Sequence, residues 1–424
     1  MQDQAVITPS LRPWQHGAAF LLSCAVLILR RPDAVLHPQF FAEDGHIWFA
    51  DAYNFGWWTA LFRTQDGYFQ TLPRLGSSVA LLVPFALAPL VLILIAIAVQ
   101  ALPVNLLLWS GSSNWGSLPF RAILAGLYLA LPDNTEISWG ITEAQWPLAL
   151  CAFLLLVASV PCSAWGRLCI NSVILLCGLT GPFCALLLPA GLFLLWKTRD
   201  RKRLIPAVLL AACCLIQAWE LLIVNPAARS HYAYALGASP ALFVRILGGH
   251  IYLGALLGGN GAAAISATPL LILLLFVAIG GTAMVVGCFI KSPVEMRLFI
   301  VFSSALFAVS LISPNTGVSN GESAWVRLSQ ADSVRYWFFP SIAFAWSLLW
   351  CFRSRVLLLR IVSSPLLLLM CFGIVRGWHH AAFSETHFAE SVKRFEAAPP
   401  GTTVTIPEYP EGWSMQLMKR ARER

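Results

Sequence analysis

Apolar residues fall along this chain in long blocks separated by short polar turns. The blocks are Gly17–Leu29, Leu90–Trp109, Phe120–Ala130, Trp146–Val160, Cys169–Trp196, Leu204–Val224, Pro269–Ile290, Phe299–Ile312, Tyr336–Trp350 and Ile361–Val375. Most approach the roughly 20 residues that a helix needs to cross a bilayer. Cys169–Trp196 is too long for one crossing, and Gly181-Pro182 interrupts its backbone ladder, so it reads as two short helices meeting in a bend. The alternating strands of a membrane β-barrel are absent from the pattern. The expectation is an all-α polytopic membrane protein with about 11 transmembrane helices.

The turns orient it. Lys197-Thr-Arg-Asp-Arg-Lys-Arg203 packs five basic residues into seven positions and is expected in the cytoplasm. Counting crossings from there puts the N-terminus inside. Residues 30–89, 131–146, 225–268, 313–335 and the tail from Arg376 then lie outside. Gly76–Ala88 is short for a crossing and reads as a half-helix or a surface-lying segment. Trp48, Phe49, Tyr53, Phe55, Trp57, Trp58 and Phe62 read as interfacial helices in the first outer loop. The division is a membrane domain, 1–375, and a small outer cap with some β structure, 376–424, in which Thr402–Pro407 is an extended run.

Composition agrees with this picture. The chain is 58% hydrophobic and 11% charged, against about 25% charged residues in soluble domains. The net charge of +8 is spread over turns and forms no patch, so the expected partner is membrane lipid and not nucleic acid. The first block lacks a small-residue cleavage site and reads as a retained helix. The 11 cysteines sit in apolar blocks or their turns without zinc spacing, which suits small packing residues. No spacing suggests a metal site or a cofactor, and no internal repeat suggests a transporter of inverted halves.

The chemistry is concentrated in Phe40-Phe-Ala-Glu-Asp-Gly-His-Ile-Trp-Phe49. Two adjacent carboxylates, Glu43 and Asp44, at the edge of a bilayer are expensive to desolvate. The alternative reading is an acidic helix start ahead of His46. As a functional pair they offer a general base, since partial burial and a like-charged neighbour raise the pKa of one member.

The chain resembles the GT-C glycosyltransferases, integral-membrane enzymes that use polyprenyl-phosphate-linked sugars. The resemblance is carried by Ala42-Glu-Asp-Gly45, Gly67-Tyr-Phe-Gln-Thr-Leu-Pro-Arg74, Leu131-Pro132 through Ile141-Thr-Glu-Ala-Gln-Trp146, Leu179-Thr-Gly-Pro-Phe183 and Val334-Arg-Tyr-Trp-Phe-Phe-Pro340. It implies an inverting transferase in a bacterial inner membrane with its site on the outer, periplasmic face. The donor would be a polyprenyl-phosphate sugar, and the acceptor a hydroxyl on a surface or lipid-linked glycan. It also implies that Asp44 or Glu43 is the base, with Asp44 favoured because Gly45 leaves it least obstructed. Glu143 would hold sugar or acceptor, or else be a polar helix-start residue.

Arg335, beside Tyr336, suits a lipid phosphate through its bidentate fork, or else anchors a helix end at the interface. Arg74 and His250 are further binding candidates, and Glu220 lies inside an apolar block where a function or a partner is the default. Arg30-Arg31 outside the membrane suggests lipid headgroup or phosphate contact. The competing functions are a flippase-like transporter of lipid or glycan, and a polysaccharide polymerase or ligase using a lipid-diphosphate donor.

Overall fold

The apolar blocks form helices because nothing else satisfies their backbone groups without water. In the computed structural model of the chain they are Pro13–Arg30, Ala88–Leu108, Leu118–Ala130, Gln145–Val157, Ala164–Gly178, Phe183–Thr198, Leu204–Trp219, Leu271–Lys291, Val294–Ile312, Phe338–Phe352 and Leu357–Arg376. The structure describes residues 11–132, 136–137, 139–226, 235–259, 271–315, 322–329 and 334–421; Asp133, His231 and Tyr232 of the expected outer loops lie outside these. Among the described residues, six helices are long and apolar enough to cross a membrane: Phe85–Leu108, Arg201–Val224, Pro240–Leu257, Leu271–Lys291, Val294–Ile312 and Leu357–Arg376. Leu118–Ala130, Gln145–Val157, Ala164–Gly178 and Phe183–Thr198 are apolar but shorter.

Gln145–Val157 is the centre of the bundle, with every residue from Trp146 to Val157 buried. A helix enclosed on all sides has to be apolar on all sides, and its sequence is. Phe338–Phe352 is almost as enclosed, and Trp346 packs on Trp115 and Phe299 at centroid distances of 5.3 and 4.7 Å.

Arginines close the exposed carbonyl ends of helices at both ends of the bundle. At the end that carries Lys197–Arg203, Arg203 donates to the carbonyls of Leu156 and Ala158, and Arg121 to those of Leu107 and Trp109. At the opposite end Arg30 is 1% exposed and donates to the carbonyls of Leu129, Leu131 and Trp378, at 2.7, 3.0 and 3.3 Å. Arg31 donates to Ala381 and lies over the Phe383 ring. This corrects the expected lipid role of Arg30-Arg31. Their charge is used within the protein, by Arg30 on the carbonyls at the end of Leu118–Ala130 and by Arg31 on the irregular chain at Ala381.

Pro240–Leu257 is a helix within a stretch read as an outer loop. Both of its ends nevertheless meet the end of the bundle away from Lys197–Arg203. Leu236, just before it, accepts from the Trp325 amide, and Gly258, just after it, faces Pro132. The helix therefore lies along that end, although its length alone would allow a crossing. Residues 76–88 are likewise short: a helix at Thr71–Ala80, then a turn at Phe85–Leu87.

In the first loop, short helices at Ala50–Phe55 and Trp57–Leu61 leave Phe55, Trp57, Trp58 and Phe62 exposed. The C-terminal segment forms a helix at Phe388–Ala397 and an antiparallel hairpin, β1 (Thr403–Glu408) and β2 (Trp413–Met418), with Glu408 opposite Trp413. Alternation buries Ile406, Glu408, Met415 and Leu417. The hairpin docks on the first loop: Tyr409 and residues 40–42 exchange backbone hydrogen bonds, and Asn54 bonds the backbone of Gln416 and Met418.

Thr198 and Ser414 are both exposed, at opposite ends of the bundle. In a variant with all 11 cysteines replaced, a cysteine at Ser414 should react with a membrane-impermeant maleimide on spheroplasts. One at Thr198 should react only after permeabilisation. Labelling of both from the same side would refute the two-ended arrangement.

Candidate functional site

The end of the bundle that carries the cap encloses a cavity of about 850 Å³. Its walls come from segments far apart in sequence: the turn at 41–48, residues 65–70, residues 136–146, the start of Phe183–Thr198, the C-terminal part of the helix at 204–224, residues 306–315, Arg335-Tyr336, and Pro410 and Trp413 of the cap.

The acidic pair is split by the fold. Asp44 opens a wide helical turn, Asp44–Phe49, and is 2% exposed. One carboxylate oxygen accepts from the Ile141 amide at 3.0 Å; the other accepts from the Thr142 amide at 3.1 Å and its hydroxyl at 2.6 Å. Thr142 Oγ1 also accepts from the Trp48 indole at 2.7 Å. Burial pushes Asp44 up to about 7, against the pull of these three bonds and helped by the charge of Glu43. A Cβ at Gly140 would stand 3.3 Å from the Asp44 carboxylate and 2.8 Å from the Phe41 ring, so this approach needs glycine. Asp44 is therefore part of the wall. Glu43, not Asp44, lines the cavity.

His46 follows on the same turn and also lines the cavity. Its Nδ1 lies 2.6 Å from Glu408 Oε1 and 3.2 Å from the Ala42 carbonyl, and its ring meets the Trp413 edge at 5.0 Å. Glu408 is 1% exposed. Burial lowers the imidazole, but the Glu408 hydrogen bond and the charges of Glu408 and Glu43 together hold it above its ordinary value. The role expected of Gly45 changes here. A Cβ on it would stand 1.9 Å from Glu408 Oε2, so the glycine makes room for the cap carboxylate and does not clear a path to Asp44.

On the facing wall Arg335 joins three segments. Its Nη1 pairs with Glu143 at 3.1 Å and Glu136 at 3.4 Å, its Nη2 donates to the Asn315 carbonyl at 2.7 Å, and its amide donates to Glu136 at 3.0 Å. Burial raises Glu143 above the usual carboxylate range, and the adjacent guanidinium pulls it back. Tyr336 donates its hydroxyl to the Asn315 carbonyl at 2.6 Å, and the Asn315 side chain donates to Asp66 at 2.8 Å. Glu43, Glu143, Arg335 and Tyr336, expected from the sequence, thus share one chamber.

Three expected residues do not reach it. Arg74 is 1% exposed, pairs with Asp51 at 2.6 Å and lies over the Trp48 ring, so it braces the wall from behind. His250 stacks on Trp337 and meets the Ser329 carbonyl at 2.7 Å. Glu220 turns to Asn225, while Gln217 and Leu221 from the same helix face the cavity. Two of the segments that carry the resemblance, 67–74 and 179–183, meet each other: Thr180 Oγ1 accepts from the Leu72 amide, and Gly181 donates to the Phe69 carbonyl. Gln217 fastens the join by accepting from the Phe69 amide at 2.8 Å.

Away from this chamber the cavity becomes apolar. Phe183, Cys184, Ala185, Leu186, Cys214, Ala218, Leu221, Leu306 and Val309 line it. Ala185, Ala218 and Val309 belong to three different helices and are exposed, so this end opens sideways between helices. His46, Glu408, Glu136, Asn315 and Trp413 were not singled out as site residues from the sequence. His46, Glu136 and Asn315 are polar residues in segments between apolar blocks, while Glu408 and Trp413 sit in the polar tail. Comparison with protein families, with curated proteins and with solved structures found no match to this chain.

Asp44→Asn sets an amide NH₂ against backbone donors and should cost about 1–3 kcal/mol. Asp44 titrates at about 7 when folded and at about 3.9 unfolded. The folded state therefore holds the proton more tightly, and this contribution is lost as pH rises from about 4 through 7. The melting temperature in detergent should fall over that window, with a shallower slope in Asp44→Asn. Equal slopes in both proteins would show that Asp44 is not the titrating group.

Proposed function

We propose that this protein is an inverting, membrane-embedded glycosyltransferase, moving a sugar from a polyprenyl-phosphate carrier to a hydroxyl of a surface or lipid-linked glycan. The observation that carries this reading is the two-part cavity: an apolar arm open sideways between helices, leading into a chamber of carboxylates, an imidazole and arginines beneath the cap. An isoprenoid chain suits the arm, because it leaves the surrounding lipid for a lining that is equally apolar. The phosphate and sugar would then lie in the chamber, and an outer-face acceptor would enter beside Trp413.

The chamber holds what such a transfer needs. Inversion at the anomeric carbon requires alignment of the acceptor, removal of its proton, and stabilisation of charge on the ring and on the departing phosphate. Among the described residues Arg335 and Arg327 are the arginines on the wall, and Arg335 already carries Glu136 and Glu143. That favours a single phosphate over the greater charge of a diphosphate. Glu43 supplies the carboxylate the reaction uses, as proton acceptor or as counter-charge to the cationic ring. The described residues that line this cavity belong to one end of the bundle, which suits transfer at one face.

The test is transfer by the purified full-length protein in detergent, from a panel of synthetic polyprenyl-phosphate sugars to isolated surface glycan. We expect Glu43→Gln to lower turnover by about 10²- to 10⁴-fold while donor binding persists. Asp44→Asn, measured per folded molecule, should lose far less. Absence of transfer from every donor by the wild type would defeat the proposal.

A further inference from the structure

Among the groups on the chamber wall, His46 is held in a way that packing alone does not require. Both neighbours of its Nδ1, the Ala42 carbonyl and Glu408 Oε1, are acceptors. Two acceptors around one ring nitrogen oblige it to carry the proton, so in neutral His46 the bare lone pair is on Nε2. That nitrogen has no hydrogen-bond partner among the described residues, and it is not buried without one. The side chain is 30% exposed and lines the chamber, whereas that of Glu408 is fully enclosed. A buried carboxylate held against one nitrogen of an imidazole that itself lines a cavity, with the other nitrogen unpartnered, is the arrangement of a general base.

We propose that His46 is the group that takes the acceptor's proton, and that Glu408, delivered by the C-terminal cap, is its positioning residue. This rests on the glycosyltransfer reading. As the acceptor oxygen attacks the anomeric carbon, its proton passes to His46 Nε2. The bond from that carbon to the phosphate oxygen breaks, and its electron pair leaves with the polyprenyl phosphate. The imidazolium, faced by Glu408 and Glu43, then releases its proton to water at the mouth of the chamber. Glu43 is left as the counter-charge to the cationic ring.

Base strength favours this division. An ordinary imidazole titrates at about 6.5 and an ordinary glutamate at about 4.3, and a base works best with a pKa near the working pH. Glu408 and Glu43 are the charged groups against His46, and both stabilise the imidazolium that the step creates. Glu136, Glu143, Asp66, Arg335 and Arg327 also line the chamber. The arrangement makes the cap part of the catalytic site as well as its cover. A chain cut before the hairpin would keep His46 but lose the group that fixes its tautomer.

The experiment combines the transfer assay with ¹⁵N-histidine NMR of the full-length protein, with His46 assigned from His46→Gln. We expect kcat/KM to fall on the acid side of a pKa above about 6.5. His46→Gln should remove that limb and lower the rate by about 10²- to 10⁴-fold. His46→Ala should be partly restored by added imidazole. Glu408→Gln should shift the limb to lower pH and reduce kcat with donor KM unchanged, which a purely structural role would not do. In the NMR spectrum His46 should carry its proton on Nδ1. A proton on Nε2 overturns the inference, as does His46→Gln activity within about threefold of wild type, or a limb unmoved in Glu408→Gln. A wild type with the expected tautomer that transfers no sugar from any donor defeats the glycosyltransfer reading, and the proton-accepting role with it.

Discussion

A carboxyl group enclosed by protein has lost its water, at a cost of several kcal/mol if it is ionised, and only well-aimed donors offset that. Asp44 meets this demand with two backbone amides and a hydroxyl from Ile141-Thr142. The benefit is mutual, because those amides lie in the turn that leads into Gln145–Val157, outside its hydrogen-bond ladder, and a buried amide needs a partner. One set of hydrogen bonds thereby fixes the first loop against the central helix. Glu43 and His46 take their places on the cavity wall from this attachment.

The facing wall is built on the same principle. Arg335 is drawn to Glu136 and Glu143, and its Nη2 donates to the Asn315 backbone carbonyl. Three segments distant in sequence are thus tied to one guanidinium. Its planar fork can serve several acceptors at once in a way an ammonium cannot. The cap closes the circuit through Glu408, which fits only because residue 45 has no side chain. A two-stranded hairpin is marginal by itself. Here it is held by Phe388–Ala397 behind it and the first loop beneath it.

The cavity inherits its amphipathic character from these two kinds of construction. Where polar ties converge, it is lined by ionisable groups. Where helices simply pack, it is lined by the side chains that face lipid elsewhere. A ligand matching both halves needs a charged head and a long apolar tail, the shape of a lipid-linked sugar.

The helices of the apolar blocks could be read directly from the sequence, whereas Pro240–Leu257 could not. Burying a backbone away from water leaves helix as the one local solution for each apolar block, and block length is visible in one dimension. The interruption at Gly181-Pro182 and the extended run at Thr402–Pro407 were legible for equally local reasons. The chamber was legible only as a set of candidates, since Glu43, Glu143 and Arg335 stand out as charges at the ends of apolar blocks. Which member of the acidic pair faces the cavity depends on which carboxylate meets Ile141-Thr142, a contact across 97 residues. That Arg30, Arg74, His250 and Glu220 turn to protein partners depends likewise on neighbours distant in sequence. The pairing of His46 with Glu408 spans 362 residues and leaves no local signature at either end. Periodicity and hydropathy are properties of neighbours along the chain, so they determined the elements. The partners of buried charges are set by desolvation in three dimensions, and only the tertiary structure decided those.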